Sequence, residues 1–275
     1  MMLVPFRAGT QVIGALRPDF ARALRGWPAV FAFDAGGVAL VPADERKRSD
    51  ALAEATRELA RTGWIQGWRG ELYAVHAPGG GPLFCIERAA MRRFGLLSHA
   101  AHANVFSGRG ARRRMWIARR SAAKPIDPGL WDTLVGGGIA AGLSAWQTLL
   151  KEAREEAGIE AARARRARFV KALMIERIVP EGLHREILFV YDLEVGAGFR
   201  PRNLDGEVSA FERSGCAGLV RRLAQGAFTA EAALIVHDWL ARAGAGRPAL
   251  RRALARSERL AARAGAGRTG RASGR

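Results

Sequence analysis

The segment GGGIAAGLSAWQTLLKEAREEAGI, residues 136–159, carries the clearest local pattern in this chain of 275 residues. Ser144 and Gln147 match a capping box, in which the hydroxyl accepts from the third helical amide and the glutamine reaches back to the cap. Gly158 suits the left-handed conformation that ends many helices. These signals predict a helix from about Ala145 to Ala157.

This helix is predicted to be apolar on one face and acidic on the opposite flank. At 100° per residue, Glu152, Glu155 and Glu156 fall together on that flank. Carboxylates in the last turn face the negative end of the helix dipole and repel one another, so local electrostatics disfavours this placement. The apolar face consists of Trp146, Leu149, Leu150, Ala153 and Ala157.

The acidic flank has two interpretations. It is either a solvated face that pairs with Lys151, Arg154 and Arg163, or a cluster that binds a divalent cation. The glycine run at residues 136–138 favours the second, because bare backbone amides can approach an anion closely. An anion-binding loop next to a cation-binding helix predicts a site for a diphosphate.

The same residues resemble the Nudix box, G-x5-E-x7-R-E-U-x-E-E-x-G-U, which is the signature of the Nudix hydrolases. Gly137 and the run at residues 151–159 stand at the matching positions. Leu143 replaces the first glutamate of the box, and Lys151 replaces its arginine. Both replacements are similar to a subfamily, the Nudix proteins related to the Nudix portion that is fused to thiamine pyrophosphokinase in fungi.

The resemblance to that subfamily continues outside the box. It is carried by DGEV at residues 205–208 and, in an N-terminal companion domain, by WRGELYAV at residues 68–75. HANVF at residues 102–106 departs from the H-x-N-G-Y of the subfamily. Val105 and Phe106 are therefore candidates for reshaping a wall of the substrate pocket.

The resemblance implies an α/β fold, a Nudix α/β/α sandwich with a mixed β-sheet, preceded by a smaller α+β domain. Alternating strand and helix patterns independently favour a mixed-sheet α/β structure. The predicted organisation is a companion domain at 1–111, a Nudix hydrolase domain at 112–244 and a basic tail at 245–275. The tail is expected to be disordered, because it has few large apolar residues to offset the entropy of ordering.

The resemblance further implies that Mg²⁺ or Mn²⁺ assists the attack of water on a diphosphate bond. Glu155 and Glu156 are expected to bind the metal, and Glu152 is either a further ligand or the group that orients the water. Lys151 is expected to brace these glutamates, as the box arginine does. It is less able than arginine to make two fixed hydrogen bonds.

Three further positions complete the expected site. Gly137 and Gly138 are expected to contribute backbone contacts near the phosphates. Glu207, in the DGEV segment, is expected to be an additional metal ligand or a catalytic base, with a plain surface acid as the alternative. Whether Glu152 or Glu207 activates the water is left open by the sequence.

Several side chains are weaker candidates for contact with a substrate. Trp68, Tyr73 and Trp131 could stack on a heteroaromatic ring, although such large side chains more often pack in the core. His102 and Asn104 could touch the substrate or make structural hydrogen bonds.

The implied substrate is thiamine diphosphate or its oxidised, damaged analogues, which would be cut to monophosphates. Alternatives are a Nudix activity on nucleotides or RNA caps, and a non-catalytic diphosphate-binding module in which Leu143 and Lys151 disable catalysis. Isopentenyl-diphosphate isomerase needs a catalytic cysteine and a histidine-rich metal site, and neither Cys85 nor Cys216 stands in such a setting.

Charge and composition indicate which binding partners and which compartment to expect. The formal net charge is +18, and removal of Arg247–Arg275, with nine arginines and one glutamate, lowers it to +10. Nucleic acid is thus a conceivable but not a favoured partner, because the remaining charge also suits a small anion. The two cysteines indicate neither a disulfide framework nor a zinc site. No apolar run is long enough to cross a bilayer and no secretory signal is evident, so a cytoplasmic protein is expected.

Overall fold

The computed structural model describes residues 2–244 together with Pro248 and Arg252. Apart from those two positions, the predicted tail at 245–275 lies outside the described residues. The chain divides into two compact units, each made of separate segments. The predicted boundary between residues 111 and 112 stays a prediction. The first unit contains the chain up to Ala100, Gly138–Thr148 and Met174–Leu188, and the second contains Ala101–Gly137, Leu149–Leu173 and the chain from Phe189 onward.

The first unit begins with a small sheet of four strands, which are β1 Val4–Ala8, β2 Gln11–Leu16, β3 Phe31–Asp34 and β4 Gly37–Leu40. Their order is β2-β1-β4-β3, in which β1 and β4 are parallel and the other pairs are antiparallel. Strands β3 and β4 pair across the Gly36-Gly37 turn.

Helices and a hairpin pack around this sheet. Asp44 caps the longest helix, because its carboxylate accepts a hydrogen bond from the amide of Lys47 at 2.8 Å. Four buried phenylalanine rings form the centre of the core, with the ring of Phe94 5.1 Å from those of Phe6 and Phe20. The elements are α1 Pro18–Ala23, α2 Glu45–Arg61, β5 Leu72–His76, β6 Pro82–Glu87 and α3 Met91–Phe94.

The remaining strands form a sheet of seven. They are β7 Leu97–Ser107, β8 Arg114–Arg120, β9 Trp131–Thr133, β10 Val135–Gly138, β11 Arg168–Val179, β12 Gly182–Glu194 and β13 Val208–Gly215. The order along the main path is β11-β12-β7-β8-β13, while β10 pairs with β7 and β9 pairs with β8. The glycine run therefore lies in a strand of this sheet. Sheets combined with helices confirm the predicted α/β fold class.

In the C-terminal half, the described residues up to Gly244 form four helices, namely α4 Ala145–Ala157, α5 Ala161–Ala164, α6 Cys216–Ala224 and α7 Ala230–Ala243. The predicted helix is confirmed at both ends by α4. The amide of Gln147 donates to Oγ of Ser144, the amide of Ser144 donates to Oε1 of Gln147, and Gly158 adopts φ 61°. Among the helices that the structure describes, none is both long and apolar enough to cross a bilayer.

Candidate active site

The glycine strand β10 lies directly against acidic side chains of α4. The backbone amide of Gly136 donates a hydrogen bond to Oε2 of Glu156 at 2.9 Å. A methyl group on Gly137 would lie 2.5 Å from Oε1 of Glu152, and one on Gly136 would lie 2.5 Å from Cε1 of His102. Only glycine leaves room for these approaches. The strand thus brings bare backbone next to two carboxylates.

The carboxylate of Glu156 has a strongly perturbed pKa. Burial raises its pKa well above the usual value, and the neighbouring negative charges of Glu152 and Asp132 raise it further. The hydrogen bond from Gly136 and the charge of Lys124 act in the opposite direction and do not cancel the shift. Glu156 therefore lies where negative charge is costly unless a cation is near.

Lys151 lies between two of the predicted ligands. Its Nζ is 3.1 Å from Oε1 of Glu152 and 3.0 Å from Oε2 of Glu155. Burial alone would lower the pKa of the amine, but the hydrogen bond to Glu155 and the charge of Glu152 raise it. The side chain thus stays cationic and holds both carboxylates through one flexible arm.

Glu207 reaches the same cluster through a second lysine, Lys124. Nζ of Lys124 forms an ion pair with Oε2 of Glu207, and its positive charge also acts on Glu156. The chain has four lysines, and two of them, Lys124 and Lys151, serve these glutamates. The sequence analysis missed Lys124, although its rarity in an arginine-rich chain was a usable signal.

The loop before Glu207 is fixed to the end of α4. The amide of Arg202 donates to the carbonyl of Ala157 at 3.0 Å, and that of Leu204 donates to the carbonyl of Glu155 at 2.9 Å. Within the loop, the amide of Gly206 donates to Oδ1 of Asn203 at 3.0 Å. These contacts satisfy carbonyls that the helix end leaves unpaired.

Asp132 is a second residue that the sequence analysis missed. Burial raises its pKa, and its charge acts on Glu156. One carboxylate oxygen accepts from the amide of Thr133 at 2.8 Å, and the other accepts from Arg120 at 3.2 Å. Its position in β9, just before the glycine strand, was the available signal. Asp132 adds a carboxylate to the cluster.

The predicted site residues fall into two sets, one in contact with the glycine strand and one paired with lysines. Glu152, Glu156 and the Gly136–Gly137 backbone are in direct contact, whereas Glu155 pairs with Lys151 and Glu207 pairs with Lys124. Within the described part of the chain, no three of the four predicted ligands place their oxygens all within 4.8 Å of one another. Lys151 bridges Glu152 and Glu155, and Lys124 pairs with Glu207.

His102 and Asn104 make structural hydrogen bonds inside the second unit. Nδ1 of His102 lies 2.9 Å from Oγ1 of Thr133, and Nδ2 of Asn104 donates to Oδ1 of Asp192 at 2.9 Å. Both side chains are buried. Either role considered from the sequence is compatible with this position for His102, which borders Gly136.

The other substrate candidates divide between core and surface. Val105 and Phe106 are buried, and the ring of Phe106 packs 5.7 Å from that of Trp239, so both belong to the core. Trp68 is 43% exposed, whereas Tyr73 is 4% exposed. Trp131 is half-buried under the guanidinium of Arg222. Cys85 and Cys216 are both free thiols of intermediate exposure, as expected.

The arrangement has the composition of a hard-cation site. Carboxylate oxygens are the ligands that Mg²⁺ prefers, and no nitrogen or sulfur ligand is part of the predicted set. Burial and the neighbouring carboxylates raise the pKa of Glu156, and the positive charge of Lys124 offsets this only in part. A divalent cation would supply further positive charge, so the residues present fit such an ion.

Comparisons with known proteins identify the family of the chain. The family described as "NUDIX domain" matches residues 98–224, and "Domain of unknown function (DUF4743)" matches residues 2–98. Nudix hydrolase 24, chloroplastic, of Arabidopsis thaliana is 36% identical over 89% of this chain and 69% of its own length. Nudix hydrolase 20, chloroplastic, of the same plant is 34% identical with the same coverage.

Among solved structures, the chain is similar to DR0079 from Deinococcus radiodurans, with 24% identity and a TM-score of 0.49 over 61% of this chain and 98% of that one. Sequence relatives over most of the chain, together with the matched family, establish the assignment. The chain belongs to the Nudix hydrolase family and is a hydrolase that acts on diphosphate compounds.

Proposed function

We propose that the protein is a Mg²⁺- or Mn²⁺-dependent pyrophosphohydrolase that cleaves thiamine diphosphate or its oxidised analogues to monophosphates. The observation that supports the chemistry best is the contact of Glu152 and Glu156 with the backbone of the glycine strand. Two carboxylates beside a glycine strand form a place for a cation and for the phosphates that accompany it.

Four side chains would hold the metal, namely Glu152, Glu155, Glu156 and Glu207. When bound, the ion neutralises the charge of the diphosphate and supplies Lewis acidity. Lys151 lies beside Glu155 and Lys124 lies beside Glu207, where the two amines limit repulsion between the glutamates. Lys151 thereby braces the helix carboxylates.

The residues of the chain have separate tasks in the proposed reaction. Gly137 and Gly138 offer backbone contacts to the phosphates and orient them. Water attacks one phosphorus, the bond from that phosphorus to the bridging oxygen breaks, and a carboxylate accepts the proton of the water. Glu152 and Glu207 are the two candidates for that base.

The choice of substrate is supported by residues that resemble one subfamily. The run K-E-A-R-E-E-A at residues 151–157 and DGEV at 205–208 are the features similar to the Nudix portion fused to fungal thiamine pyrophosphokinase. Hydrolysis would release inorganic phosphate and leave a monophosphate ester. Removal of oxidised cofactor analogues would be the consequence.

The full chain, purified and supplied with Mg²⁺ or Mn²⁺, provides the test. Substrates are thiamine diphosphate, its oxo and oxy analogues, ADP-ribose, NADH and dinucleoside polyphosphates, with phosphate and monophosphate as readouts. We expect EDTA-sensitive turnover that is fastest on the oxidised thiamine diphosphates. Faster turnover of a nucleotide would overturn the substrate assignment. No turnover, with Glu155→Gln binding metal like wild type, would leave a non-catalytic module.

Nucleotides or RNA caps form the second candidate substrate class, and a basic depression near the end of α4 favours it. The cavity has a volume of about 820 Å³ and is bordered by Arg163, Arg166, Arg200 and Arg202. In the part of the chain that the structure describes, none of these four arginines forms an ion pair with a carboxylate. Such a surface attracts polyphosphates and nucleic acid.

Salt-dependent RNA binding distinguishes this candidate. Affinity for a capped RNA would fall with added salt, and it would survive deletion of residues 245–275 if the cavity carries it. The double variant Arg163→Gln and Arg166→Gln would then reduce the dependence of RNA affinity on salt. The double variant Arg165→Gln and Arg168→Gln, outside the cavity, would leave that dependence unchanged. Cap hydrolysis that outpaces thiamine diphosphate hydrolysis would establish this second function.

A further inference from the structure

Tyr73 lies against the glycine strand, although it belongs to the N-terminal region that matches the domain of unknown function. Its hydroxyl occupies the position where a side chain on Gly138 would begin, and Cζ lies 2.6 Å from that position. Tyr73 is 4% exposed, so it cannot swing aside freely. Any residue larger than glycine at 138 would displace this ring.

Two backbone hydrogen bonds hold the residues that follow Gly138. The amide of Ala141 donates to the carbonyl of Leu72 at 2.7 Å, and the amide of Ile139 donates to the carbonyl of His99 at 2.8 Å. Leu72 and Tyr73 are neighbours in strand β5. The loop that leads into α4 is therefore held by consecutive residues of the β5–β6 hairpin.

The hairpin itself is anchored firmly. Tyr73 pairs with Ile86 in the antiparallel register, and both side chains belong to the core of the first unit. The guanidinium of Arg88 lies 5.6 Å from the centre of the Tyr73 ring, and it pairs with Glu71 at 2.8 Å. The location of the Tyr73 hydroxyl is thus set by the packing of the first unit.

We propose that Tyr73 is a positioning residue of the diphosphate site. A run of three glycines has unusual backbone freedom, and a wall on one side restricts it. Because the peptide bond between Gly137 and Gly138 is planar, fixing Gly138 also fixes the direction of its amide. The N-terminal region would in this way orient the backbone that meets the phosphates. The inference rests on the proposed role of the glycines.

Four variants of the full chain test the proposal: Tyr73→Phe, Tyr73→Leu, Gly138→Ala, and the last two combined. We expect Tyr73→Leu to raise KM for the diphosphate substrate more than it lowers kcat, with a loss in kcat/KM of about 100-fold, the scale for a displaced positioning group. Tyr73→Phe, which keeps the ring, should lose less. Manganese affinity and the thermal midpoint measured with each variant separate positioning from unfolding.

The double variant gives the sharpest outcome. A methyl group at residue 138 needs the space of the Tyr73 ring end, so Gly138→Ala should cost less in the Tyr73→Leu background than in wild type. The matched control is Tyr191→Phe, the other tyrosine of the chain, which is buried near Phe169. It should leave KM unchanged.

Binding of inorganic pyrophosphate, measured by calorimetry with Mg²⁺, separates this inference from the proposed function. If wild type binds pyrophosphate but hydrolyses nothing, weaker binding in Tyr73→Leu still supports the positioning role. Wild-type pyrophosphate binding and KM in well-folded Tyr73→Leu would overturn it. Strict additivity of Gly138→Ala and Tyr73→Leu would overturn it as well.

Discussion

Gly136 and Glu156 are joined by a hydrogen bond of 2.9 Å, in which the backbone amide of the glycine donates to the carboxylate. This contact ties the glycine strand to α4. The same carboxylate has a raised pKa, first because it is buried and second because Glu152 is near. A residue that is destabilising in the metal-free fold thus lies at the centre of the site, as expected where function overrides local stability.

Glu156→Gln should therefore stabilise the metal-free protein. Glutamine can still accept from Gly136 and removes the repulsion with Glu152, so we expect the thermal midpoint in EDTA to rise by about 2–4 °C, the equivalent of roughly 1 kcal/mol. Because the folded pKa of Glu156 is raised, wild type should lose stability as pH rises through that value, and the variant should lack this loss. Differential scanning calorimetry from the ordinary pKa of 4.5 upward to about pH 8 measures both.

The exposed Glu160 serves as the control for this effect. Glu160→Gln should leave the midpoint and its pH dependence unchanged. Addition of Mg²⁺ should raise the midpoint of wild type and of this control, and it should raise that of Glu156→Gln much less. A metal-free Glu156→Gln protein that melts below wild type at pH 8 would contradict the interpretation.

Lys151 should be replaceable by arginine but not by a neutral residue. Its amine contacts Glu152 and Glu155, and a guanidinium can make two fixed hydrogen bonds in its place. We expect Lys151→Gln to reduce kcat/KM by about 10-fold or more and Lys151→Arg to retain or exceed wild-type activity. Steady-state kinetics decide this, with Lys47→Gln on the exposed side of α2 as the control. Equal activity of Lys151→Gln and wild type would remove Lys151 from the site.

Glu152 and Glu207 can be separated by comparing kinetics with metal affinity. If a glutamate accepts the proton of the attacking water, its change to glutamine should lower kcat about 10²–10⁴-fold and leave the affinity for manganese largely unchanged. The other should lose metal affinity together with activity. The control is Glu212→Gln, which should be active. Glu212 lies in β13 and pairs with Arg222. Loss of neither property in Glu207→Gln would make Glu207 a structural partner of Lys124.

Local signals made α4 predictable, whereas burial hid other elements. Ser144, Gln147 and Gly158 specify the ends of α4 through contacts a few residues apart, and the structure has them. Strand β7 has no alternation to detect, because nearly all of its residues from Ala100 onward are buried and many are small. Helix α2 begins at Glu45, since Asp44 supplies the cap.

In the site too, residues close together in sequence were predictable, whereas residues brought near by folding were not. The glutamates of α4 follow from helical spacing, but Lys124 and Asp132 join them only through folding of the loop after β8 and of strand β9. Tyr73 lies 65 positions before Gly138 in the chain. No spacing rule connects such residues, so their contact with the glycine strand needed the structure.

Asp238 anchors α7 and should make the fold sensitive to acid. Burial alone would raise its pKa, but hydrogen bonds from Lys171 and Arg242 outweigh that effect and lower it below the ordinary value of 3.8. The carboxylate therefore stabilises the fold above that value, and the contribution is lost as pH falls through the lower folded value. We expect Asp238→Asn to cost about 1–3 kcal/mol at pH 7.

Urea unfolding at pH 7 and pH 3 measures this difference, which should shrink at the lower pH. Asp50→Asn on α2, where the carboxylate is 74% exposed beside Arg46, is the control and should change stability by less than about 0.5 kcal/mol. A cost for Asp238→Asn that is as large at pH 3 as at pH 7 would contradict the assigned ion pairs.

Manganese binding and diphosphate hydrolysis by Glu156→Gln, followed in one series of titrations by electron paramagnetic resonance and product release, test the metal-dependent site most directly. We expect weaker Mn²⁺ binding and a loss of about 10²–10³-fold in kcat, while Glu160→Gln matches wild type in both. A Glu156→Gln protein that binds Mn²⁺ and hydrolyses its substrate as wild type does would contradict the assignment of this cluster as the catalytic centre.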